Sequence, residues 1–349
     1  MISHKIRLPG MILIEDSIKD SAGLVCKDLG LQRKCLLLSG QKTYDILGKD
    51  VLEDIRANNF RVKSKIVSSI EKDEIDKIIK FAQGFDYIVG VGSGKVIDIA
   101  KYVSFQNKIP YVSVPTSASH DGITSPRATL TKKGKRYSYE AQSPIAILVD
   151  INTIKESPYR MIASGCADVI SNITAVPDWR LAHKERNEFY SEYAATLSIS
   201  SAQIVLESAD KIRDLKKTGI KNLMEALINS GIAMCIAGSS RPSSGSEHLF
   251  SHALDAIFPE KMSLHGEQCG VGTIISAYLY DLNWKRIQKV LKSLRCPVSA
   301  HELRIPEKIV LNALLQAKDI RKDRYTILNK KPLNETMARE ILLETGIIE

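Results

Sequence analysis

The chain has 349 residues, of which 44% are hydrophobic and 26% charged, and its formal net charge is +9. This length exceeds what one hydrophobic core usually serves, so we expect two domains. No stretch approaches the roughly 18 consecutive apolar residues of a membrane span, and the first residues lack the apolar segment of a signal peptide. The six cysteines form no CxxC pair, which predicts neither a zinc ribbon nor a disulfide framework and favours a reducing cytoplasm.

The positive charge is compatible with nucleic acid, an anionic membrane surface or phosphorylated small molecules. The basic residues are scattered, and no RNA-binding or helix-turn-helix signature accompanies them, so we expect no nucleic-acid partner. Small anionic ligands are the preferred interpretation.

Strand and helix patterns alternate in the first part of the chain, which predicts an α/β sheet. Helical periodicity predicts helices at Lys42–Asn58, Glu71–Phe81 and Lys95–Phe105. The polar segment Thr116–Tyr139 predicts a long loop, and loops of that length are usually functional. A short apolar run at Cys35–Ser39 predicts a buried parallel strand, and further strands are predicted at Val62–Val67, Asp86–Val91, Tyr111–Val114 and Ile145–Val149.

The pattern changes after Ser157-Pro158, where a period of 3.6 residues replaces the strands. The second part of the chain is therefore predicted to be all-helical. We expect an α/β domain at 1–157 and a helical domain at 158–349. The periodic runs are Arg160–Ala175, Glu188–Ala209, Leu223–Ala237 and Gly270–Leu282.

A glycine-rich turn, Gly90-Val91-Gly92-Ser93-Gly94-Lys95, connects a predicted strand to the helix after it. Such a turn lets the backbone approach a pyrophosphate, and the helix N-terminus offers free N–H groups to it. The pattern is neither the Rossmann G-x-G-x-x-G nor a P-loop, because Val96 follows Lys95, and a plain strand-to-helix turn is the alternative. Asp98 is expected to pin the turn through backbone N–H groups, or to balance the helix dipole.

Three side chains in the second part of the chain predict a metal site. Asp168 lies in an apolar helix start, where an isolated carboxylate is costly unless it is paired or bound to metal. His248 and His252 share one helical face, and His265 opens a turn into another helix. Two imidazoles and a carboxylate with an open position are typical of catalytic zinc, and for each lone histidine a hydrogen-bonded residue is the alternative.

The chain resembles a known superfamily in four blocks. They are Gly90–Lys101, Pro115–Pro126, Ser246–His248 and Leu264–Gln268. Together they resemble the superfamily of glycerol dehydrogenases, iron-type alcohol dehydrogenases and dehydroquinate synthases, and within it the sn-glycerol-1-phosphate dehydrogenases. The resemblance implies a dehydroquinate synthase-like fold, with a Rossmann-like N-terminal domain, an all-α C-terminal domain and a cleft between them.

The resemblance also implies roles for individual residues. The family's metal ligands fall on Asp168, His248 and His265. Asp121 falls at a position associated with substrate and is expected to orient its hydroxyl end, and Asp168 is expected to contact the substrate through the metal. The cofactor-binding positions fall on Gly92, Gly94, Lys95, Asp98, Thr116, Ser117 and Ser125.

Two departures from the family pattern bear on chemistry. Ser93 stands in the middle of the usual triple glycine, which adds a Cβ and a hydroxyl where the backbone meets phosphate. Asn172 stands one turn after Asp168, where the iron-type enzymes carry a histidine. A site with three ligands favours Zn²⁺ over iron.

The resemblance implies that the protein reduces dihydroxyacetone phosphate to sn-glycerol 1-phosphate, the backbone of archaeal ether lipids. Zn²⁺ would polarise the carbonyl, and NADH or NADPH would supply hydride. The segment Ser39-Gly40-Gln41-Lys42-Thr43 has no acid to repel a 2′-phosphate, so we expect both cofactors to work, with Gln41, Lys42 and Thr43 tolerating or contacting it. His252 is a candidate proton donor or orienting group, and a plain helix-face histidine is the alternative.

Two other functions remain open from the sequence. One is a related metal-dependent enzyme on the same fold, a glycerol dehydrogenase or a dehydroquinate synthase-like cyclase. The other is a basic binding protein without enzyme activity, which convergence of the three metal candidates within ligand distance would disfavour. We expect a cytoplasmic homo-oligomer.

Overall fold

A computed structural model of the chain describes residues 6–132, 135–260 and 263–349. The chain divides into two compact units, Met1–Tyr159 and Arg160–Glu349. Within the described residues, the first unit contains strands and helices, and the second contains helices and no strand. The predicted combination of an α/β part and an all-α part is confirmed.

The first unit is built on a parallel sheet. Its described strands are β1 Met11–Glu15, β2 Lys34–Ser39, β3 Arg61–Ile66, β4 Tyr87–Gly92, β5 Tyr111–Pro115, β6 Arg127–Lys132, β7 Lys135–Glu140 and β8 Ala146–Asp150. Six of them pair in the order β1-β8-β5-β4-β2-β3, and β6 and β7 form a separate antiparallel hairpin. The five predicted strands are confirmed to within one residue at each end, whereas β1, β6 and β7 were not predicted.

The direction in which the sheet grows changes between β2 and β4. From β2 the chain continues outward to β3, and from β4 it continues the opposite way to β5. Ligands of open α/β sheets bind at the carboxyl ends of the strands at such a switch point. The turns after Ser39 and Gly92, which end β2 and β4, therefore mark the expected ligand site.

Helices cover both faces of the sheet. They are α1 Ala22–Asp28, α2 Gln41–Thr43, α3 Lys49–Ala57, α4 Lys72–Phe81, α5 Gly94–Asn107 and α6 Ile151–Glu156. Alternate sheet residues face opposite cores: Leu37 and Val89 pack with α1 and α3, while Leu36 and Ile88 pack with α4 and α5. Burial on both faces explains why the four central strands, β2, β4, β5 and β8, are largely apolar.

The second unit is a set of packed helices. One helix in the described part, α11 (Lys217–Ala237), is long and apolar enough to cross a membrane by length and composition. However, 72% of its most apolar 18-residue segment is buried inside the protein, as in a core helix. The helices are α7 Tyr159–Ile170, α8 Asn172–Arg186, α9 Glu192–Glu207, α10 Ala209–Arg213, α11 Lys217–Ala237, α12 Ser246–Ile257, α13 His265–Leu279, α14 Trp284–Ser293, α15 Ala300–Leu303, α16 Glu307–Ile320, α17 Ile327–Lys330 and α18 Glu335–Glu344.

Two predicted segments differ from the structure. The segment predicted as one long loop contains a 3₁₀ turn, Asp121–Ile123, and the β6–β7 hairpin. Ala128 and Leu130 are buried between exposed Arg127 and Thr129, a period-2 pattern that predicts a strand. The helix predicted at Lys42–Asn58 is interrupted by a π-helical turn, Tyr44–Gly48, and such turns are frequent at functional sites.

Gly90 allows α5 to lie close against β4. A Cβ on Gly90 would stand 2.6 Å from Cβ of Ala100, whereas a Cβ on Gly10 would find its nearest neighbour at 3.5 Å. Gly90→Ala should therefore lower the free energy of unfolding by about 1–3 kcal/mol, because the crowded helix must shift. Gly10→Ala is the matched control and should change it by less than about 0.5 kcal/mol. Urea unfolding checks this, and equal stabilities would contradict the close approach.

Candidate metal and dinucleotide sites

The three predicted metal ligands converge within the second unit. Asp168 lies in α7, His248 in α12, and His265 begins α13. Asp168 Oδ1 lies 3.7 Å from His248 Nε2 and 3.8 Å from His265 Nε2. Ligand atoms held tetrahedrally at zinc-ligand distances lie about 3.3–3.6 Å apart. The three donors are therefore close to the spacing that one ion requires.

Hydrogen bonds on the far side of each imidazole direct Nε2 toward Asp168. His248 Nδ1 lies 2.9 Å from Glu247 Oε1, and because a carboxylate only accepts, Nδ1 donates. Ser251 donates its hydroxyl to Gln268, so its oxygen accepts from His265 Nδ1 at 3.1 Å. In the neutral form of each ring the lone pair is then on Nε2, as a metal ligand requires.

A fourth donor, Cys269, joins the cluster and was not predicted. Donor atoms of Asp168, His248, His265 and Cys269 all lie within 4.8 Å of one another. Cys269 follows His265 by one turn of α13, and its Sγ lies 3.6 Å from His265 Nε2. Burial raises the pKa of the thiol to about 11, so it is protonated at neutral pH. The (i, i+4) spacing from His265 was the available sequence signal.

Glu247 is the buried carboxylate that holds His248. Its Oε1 accepts from the Gly245 N–H at 2.5 Å, and its Oε2 accepts from the Thr174 hydroxyl at 2.9 Å. Burial disfavours its charge, but the hydrogen bond to His248 lowers the pKa of Glu247 below its usual value. Burial, and then the negative charge of Glu247, raises the pKa of the neighbouring Asp178 to about 6. Sequence reasoning missed Glu247, because its role depends on where its side chain points.

The electrostatics of the cluster favour positive charge between its donors. Burial opposes a charged imidazole at His248, but the hydrogen bond to Glu247 and its negative charge raise the pKa of His248 above the usual value. Asp168 itself is only 3% exposed. A buried carboxylate of this kind is stabilised by a bound cation.

His252 lies beside the cluster. Its ring centroid is 6.3 Å from that of His248 and 6.0 Å from that of His265. Burial, and then the positive charge of His248, lowers the pKa of His252 to about 4, so the imidazole is neutral at neutral pH. A neutral imidazole orients a substrate or relays a proton between its two nitrogens, and does not store one as a cation.

Asn172, four residues after Asp168, is held by α9 and α11. Its amide nitrogen donates to Ser198 O at 3.2 Å and to Ser230 Oγ at 3.1 Å. A turn at Ser171 separates α7, which ends at Ile170, from α8, which begins at Asn172.

The glycine turn lies where the sheet topology expects a ligand. Strand β4 ends at Gly92, and α5 begins at Gly94, at the switch point. The turn after β2 is tied to it, because the Ser39 hydroxyl donates to Val91 O at 2.7 Å. The turn after β5 is tied to it as well, because Thr116 N–H donates to Gly92 O at 3.0 Å. Three strand ends therefore surround the N-terminus of α5.

The predicted cofactor residues in this unit lie in different environments. Lys95 is exposed in the first turn of α5, while Thr116, Ser117 and Ser125 are buried. Ser117 Oγ is buried and makes no hydrogen bond to any residue that the structure describes. A buried hydroxyl without a partner just beyond a strand end fits a residue that bonds to a ligand. Asp121 begins the 3₁₀ turn of the same unit.

Two expectations for this unit are corrected. Asp98 does not pin the glycine turn: its Oδ1 lies 3.1 Å from Lys101 Nζ, and its Oδ2 accepts from the Thr129 N–H at 3.0 Å. The Thr43 hydroxyl is occupied by Ser39, the Gly40 backbone and Val91 O, which leaves exposed Gln41 and Lys42 near the end of β2. Asp98 and Thr43 thus form their hydrogen bonds within the protein, which sequence spacing alone does not reveal.

Comparisons with known proteins agree with this geometry. A family model described as iron-containing alcohol dehydrogenase matches residues 13–158. A glycerol-1-phosphate dehydrogenase (NAD(P)+) of Thermococcus sibiricus is 46% identical over 350 residues, covering 100% of this chain and 99% of that protein. One of Methanobrevibacter smithii is 44% identical over the full length of both chains. The chain belongs to the glycerol-1-phosphate dehydrogenase family. The predicted resemblance is confirmed.

Solved structures support the fold of this family member. Glycerol dehydrogenase from Schizosaccharomyces pombe superposes with a TM-score of 0.81 at 19% identity, covering 99% of this chain and 94% of that chain. A sulfoacetaldehyde reductase from Bifidobacterium kashiwanohense, in complex with NAD+, superposes with a TM-score of 0.78 at 14% identity and full coverage of both chains.

The Glu247 bond to His248 generates a prediction about metal affinity. Glu247→Gln should weaken Zn²⁺ binding by about 10–100-fold, because a neutral amide holds the imidazole less firmly and makes it less basic. Glu267→Gln is the matched control: Glu267 is about as buried as Glu247, but its carboxylate bonds to Arg160 and to the Leu264 N–H at the start of α13. Competition with a chromogenic chelator measures both affinities. Equal losses in the two variants would contradict a specific role for Glu247.

Proposed function

We propose that this protein reduces dihydroxyacetone phosphate to sn-glycerol 1-phosphate with NADH or NADPH, in a metal-dependent reaction in the cytoplasm. The observation that carries the proposal is the pair of imidazoles, each held through Nδ1, whose Nε2 atoms face the buried carboxylate of Asp168. Family membership supports the substrate, because the relatives at 42–46% identity carry the name glycerol-1-phosphate dehydrogenase.

Zn²⁺ is the proposed cation, held by Asp168, His248 and His265. Imidazole nitrogen suits zinc, copper, iron and nickel, and the thiol of Cys269 within the same cluster favours a softer ion over magnesium or manganese. In the reaction, NAD(P)H supplies the hydride and the bound cation polarises the substrate carbonyl.

The residues of the chain supply binding and orientation. The first N–H groups of α5, together with Gly92, Gly94 and Lys95, are proposed to bind the pyrophosphate of the dinucleotide. Thr116, Ser117 and Ser125 complete the proposed cofactor site, and Asp98 supports it through its ion pair with Lys101. Asp121 and His252 are proposed to contact the substrate, with His252 orienting it or relaying a proton.

The buried guanidinium of Arg324 supports an anionic substrate. Arg324 is 6% exposed and donates to Ser244 O and Ser240 Oγ, both of which are uncharged. After burial and His248, and against the opposing charge of Asp255, Arg324 and Arg321 both lower the pKa of His252, so their positive charge acts on that imidazole. Arg321 is itself paired with Asp323 at 2.9 Å. A phosphate group on the substrate would be attracted by the same positive charge.

Exposed Gln41 and Lys42 support the use of both cofactors, since neither repels a 2′-phosphate. Asp45 lies close, at 3.3 Å from Gln41 Nε2, so the segment is not free of negative charge. Assembly as a homo-oligomer and supply of sn-glycerol 1-phosphate for archaeal ether lipids belong to the same proposal.

The other two functions are less well supported. A glycerol dehydrogenase or a dehydroquinate synthase-like cyclase would share this fold, but the full-length relatives are named glycerol-1-phosphate dehydrogenases. A basic binding protein without enzyme activity gives no reason for four metal-binding side chains to converge within 4.8 Å.

The experiment that tests the function is an assay with each reduced cofactor and chiral analysis of the product. Dihydroxyacetone phosphate should be reduced with a kcat/KM at least about 100-fold higher than that of dihydroxyacetone, because phosphate binding orients the reacting carbonyl as well as improving affinity. Turnover should fall together with affinity when the phosphate is absent. Equal kcat/KM values, or formation of sn-glycerol 3-phosphate, would contradict the proposal.

The metal assignment is tested with three histidine variants. Chelation should abolish activity and Zn²⁺ should restore it. His248→Ala and His265→Ala should lose both bound metal and turnover, because each removes one ligand. His252→Ala, on the same helix as His248, should keep the metal and lose about 10–100-fold in rate. Elemental analysis beside kcat decides the matter, and full metal occupancy in either ligand variant would refute the site.

A further inference from the structure

His120 lies in the loop after β5, next to Asp121, and has so far been given no role. Its Nδ1 accepts a hydrogen bond from the Gly122 N–H at 3.0 Å. A neutral imidazole carries its proton on one nitrogen, and a nitrogen that accepts from an amide cannot carry it. The proton of His120 is therefore on Nε2, which makes Nε2 a donor.

The Nε2 edge of this ring lies directly against the first residue of α5. A Cβ built on Gly94 would stand 2.0 Å from His120 Nε2 and 3.0 and 3.1 Å from the two adjacent ring carbons. Nε2 makes no hydrogen bond to any residue that the structure describes. An N–H donor thus lies beside the helix N-terminus without a partner in the protein.

Buried contacts hold the ring in this position. Gly122, which bonds to Nδ1, accepts at its own carbonyl from Lys101 Nζ at 2.5 Å, and Lys101 Nζ also lies 2.7 Å from Arg127 O. The Lys101 side chain is fully buried in α5 and pairs with Asp98. The loop that carries His120 is therefore anchored to the helix whose N-terminus the ring faces.

We propose that His120 is a dinucleotide-binding residue that donates its Nε2–H to the pyrophosphate at the N-terminus of α5. The free N–H groups of a helix N-terminus favour an anion, and Nε2–H adds a donor from the opposite side of the same space. This inference rests on the proposed function, since it requires that a dinucleotide binds. The alternative role is a ring that blocks the glycine turn, in which case removing the ring would strengthen dinucleotide binding instead of weakening it.

Two amide variants separate the two ring nitrogens. In His120→Asn, the side-chain oxygen can still accept from the Gly122 N–H, but no donor reaches the position of Nε2. In His120→Gln, the longer side chain carries its NH₂ group toward that position, and the acceptor is lost. We expect His120→Asn to bind NADH about 10-fold or more weakly, the effect of one hydrogen bond to a charged group, and His120→Gln to stay within about 3-fold of wild type.

The measurement is a fluorescence titration with NADH and a calorimetric titration with ADP-ribose, using the full-length Zn²⁺-loaded protein. ADP-ribose has the pyrophosphate but lacks the nicotinamide, so equal losses for both ligands assign the contact to the pyrophosphate, and a loss confined to NADH overturns that assignment. Zn²⁺ affinity should be unchanged in every variant. His120→Ala is the second variant in case His120→Asn is unstable, and it should lose as much affinity as His120→Asn.

Three results overturn the inference while leaving the proposed function intact. One is wild-type affinity for NADH in His120→Asn. Another is tighter binding in His120→Ala, which would show that the ring blocks the turn. The third is an equal loss in His120→Gln and His120→Asn, which would assign the effect to the Gly122 bond. A wild-type protein that binds no dinucleotide would overturn the proposed function and the inference together.

Discussion

The first unit depends on one buried ammonium group. Lys101 is fully buried in α5, and an ammonium without partners in such a place would be strongly destabilising. Its three partners are Asp98 on the same helix and the carbonyls of Gly122 and Arg127. These carbonyls belong to the loop after β5 and to the start of the hairpin. The Lys101 ammonium therefore has its hydrogen-bond partners only when the loop lies in this position.

The consequence of this tether extends to the glycine turn. The chain between β5 and β8 is long, and ordering a long polar loop costs conformational entropy. Lys101, together with the Asp98 bond to Thr129 N–H, fixes that loop on α5 at two points. These polar bonds, and not the apolar core of the sheet, fix the positions of His120, Asp121 and the buried hydroxyl of Ser117.

The fold could be predicted from the sequence where burial has a simple period. Strands buried on both faces are continuous apolar runs, and their limits were predicted to within one residue. The hairpin was missed because its alternating residues lie in a segment rich in Lys, Ser and Thr, and β1 was missed because it is an edge strand with only partly buried residues. The break between α7 and α8 at Ser171 was not predicted, because neither glycine nor proline stands at that position.

The candidate site was predictable only in part, for a related reason. Asp168, His248 and His265 are residue types whose chemistry is specific enough to be singled out, and the family blocks supply their grouping. Glu247 and Cys269 flank those ligands in sequence, yet their relevance depends on side-chain direction across helices α12 and α13. The same holds for Asp98, whose carboxylate bonds to a strand 31 residues away instead of to the neighbouring turn.

The two imidazoles are oriented by protein groups that are not themselves metal ligands. Glu247 fixes one ring and Ser251, through Gln268, fixes the other, so the direction of both Nε2 donors does not depend on the identity of the ion. Occupancy of a nitrogen–oxygen site follows the relative affinities and the supply of the divalent ions present. The element found in a purified sample therefore records the metal pool of the host cell as well as the preference of the protein.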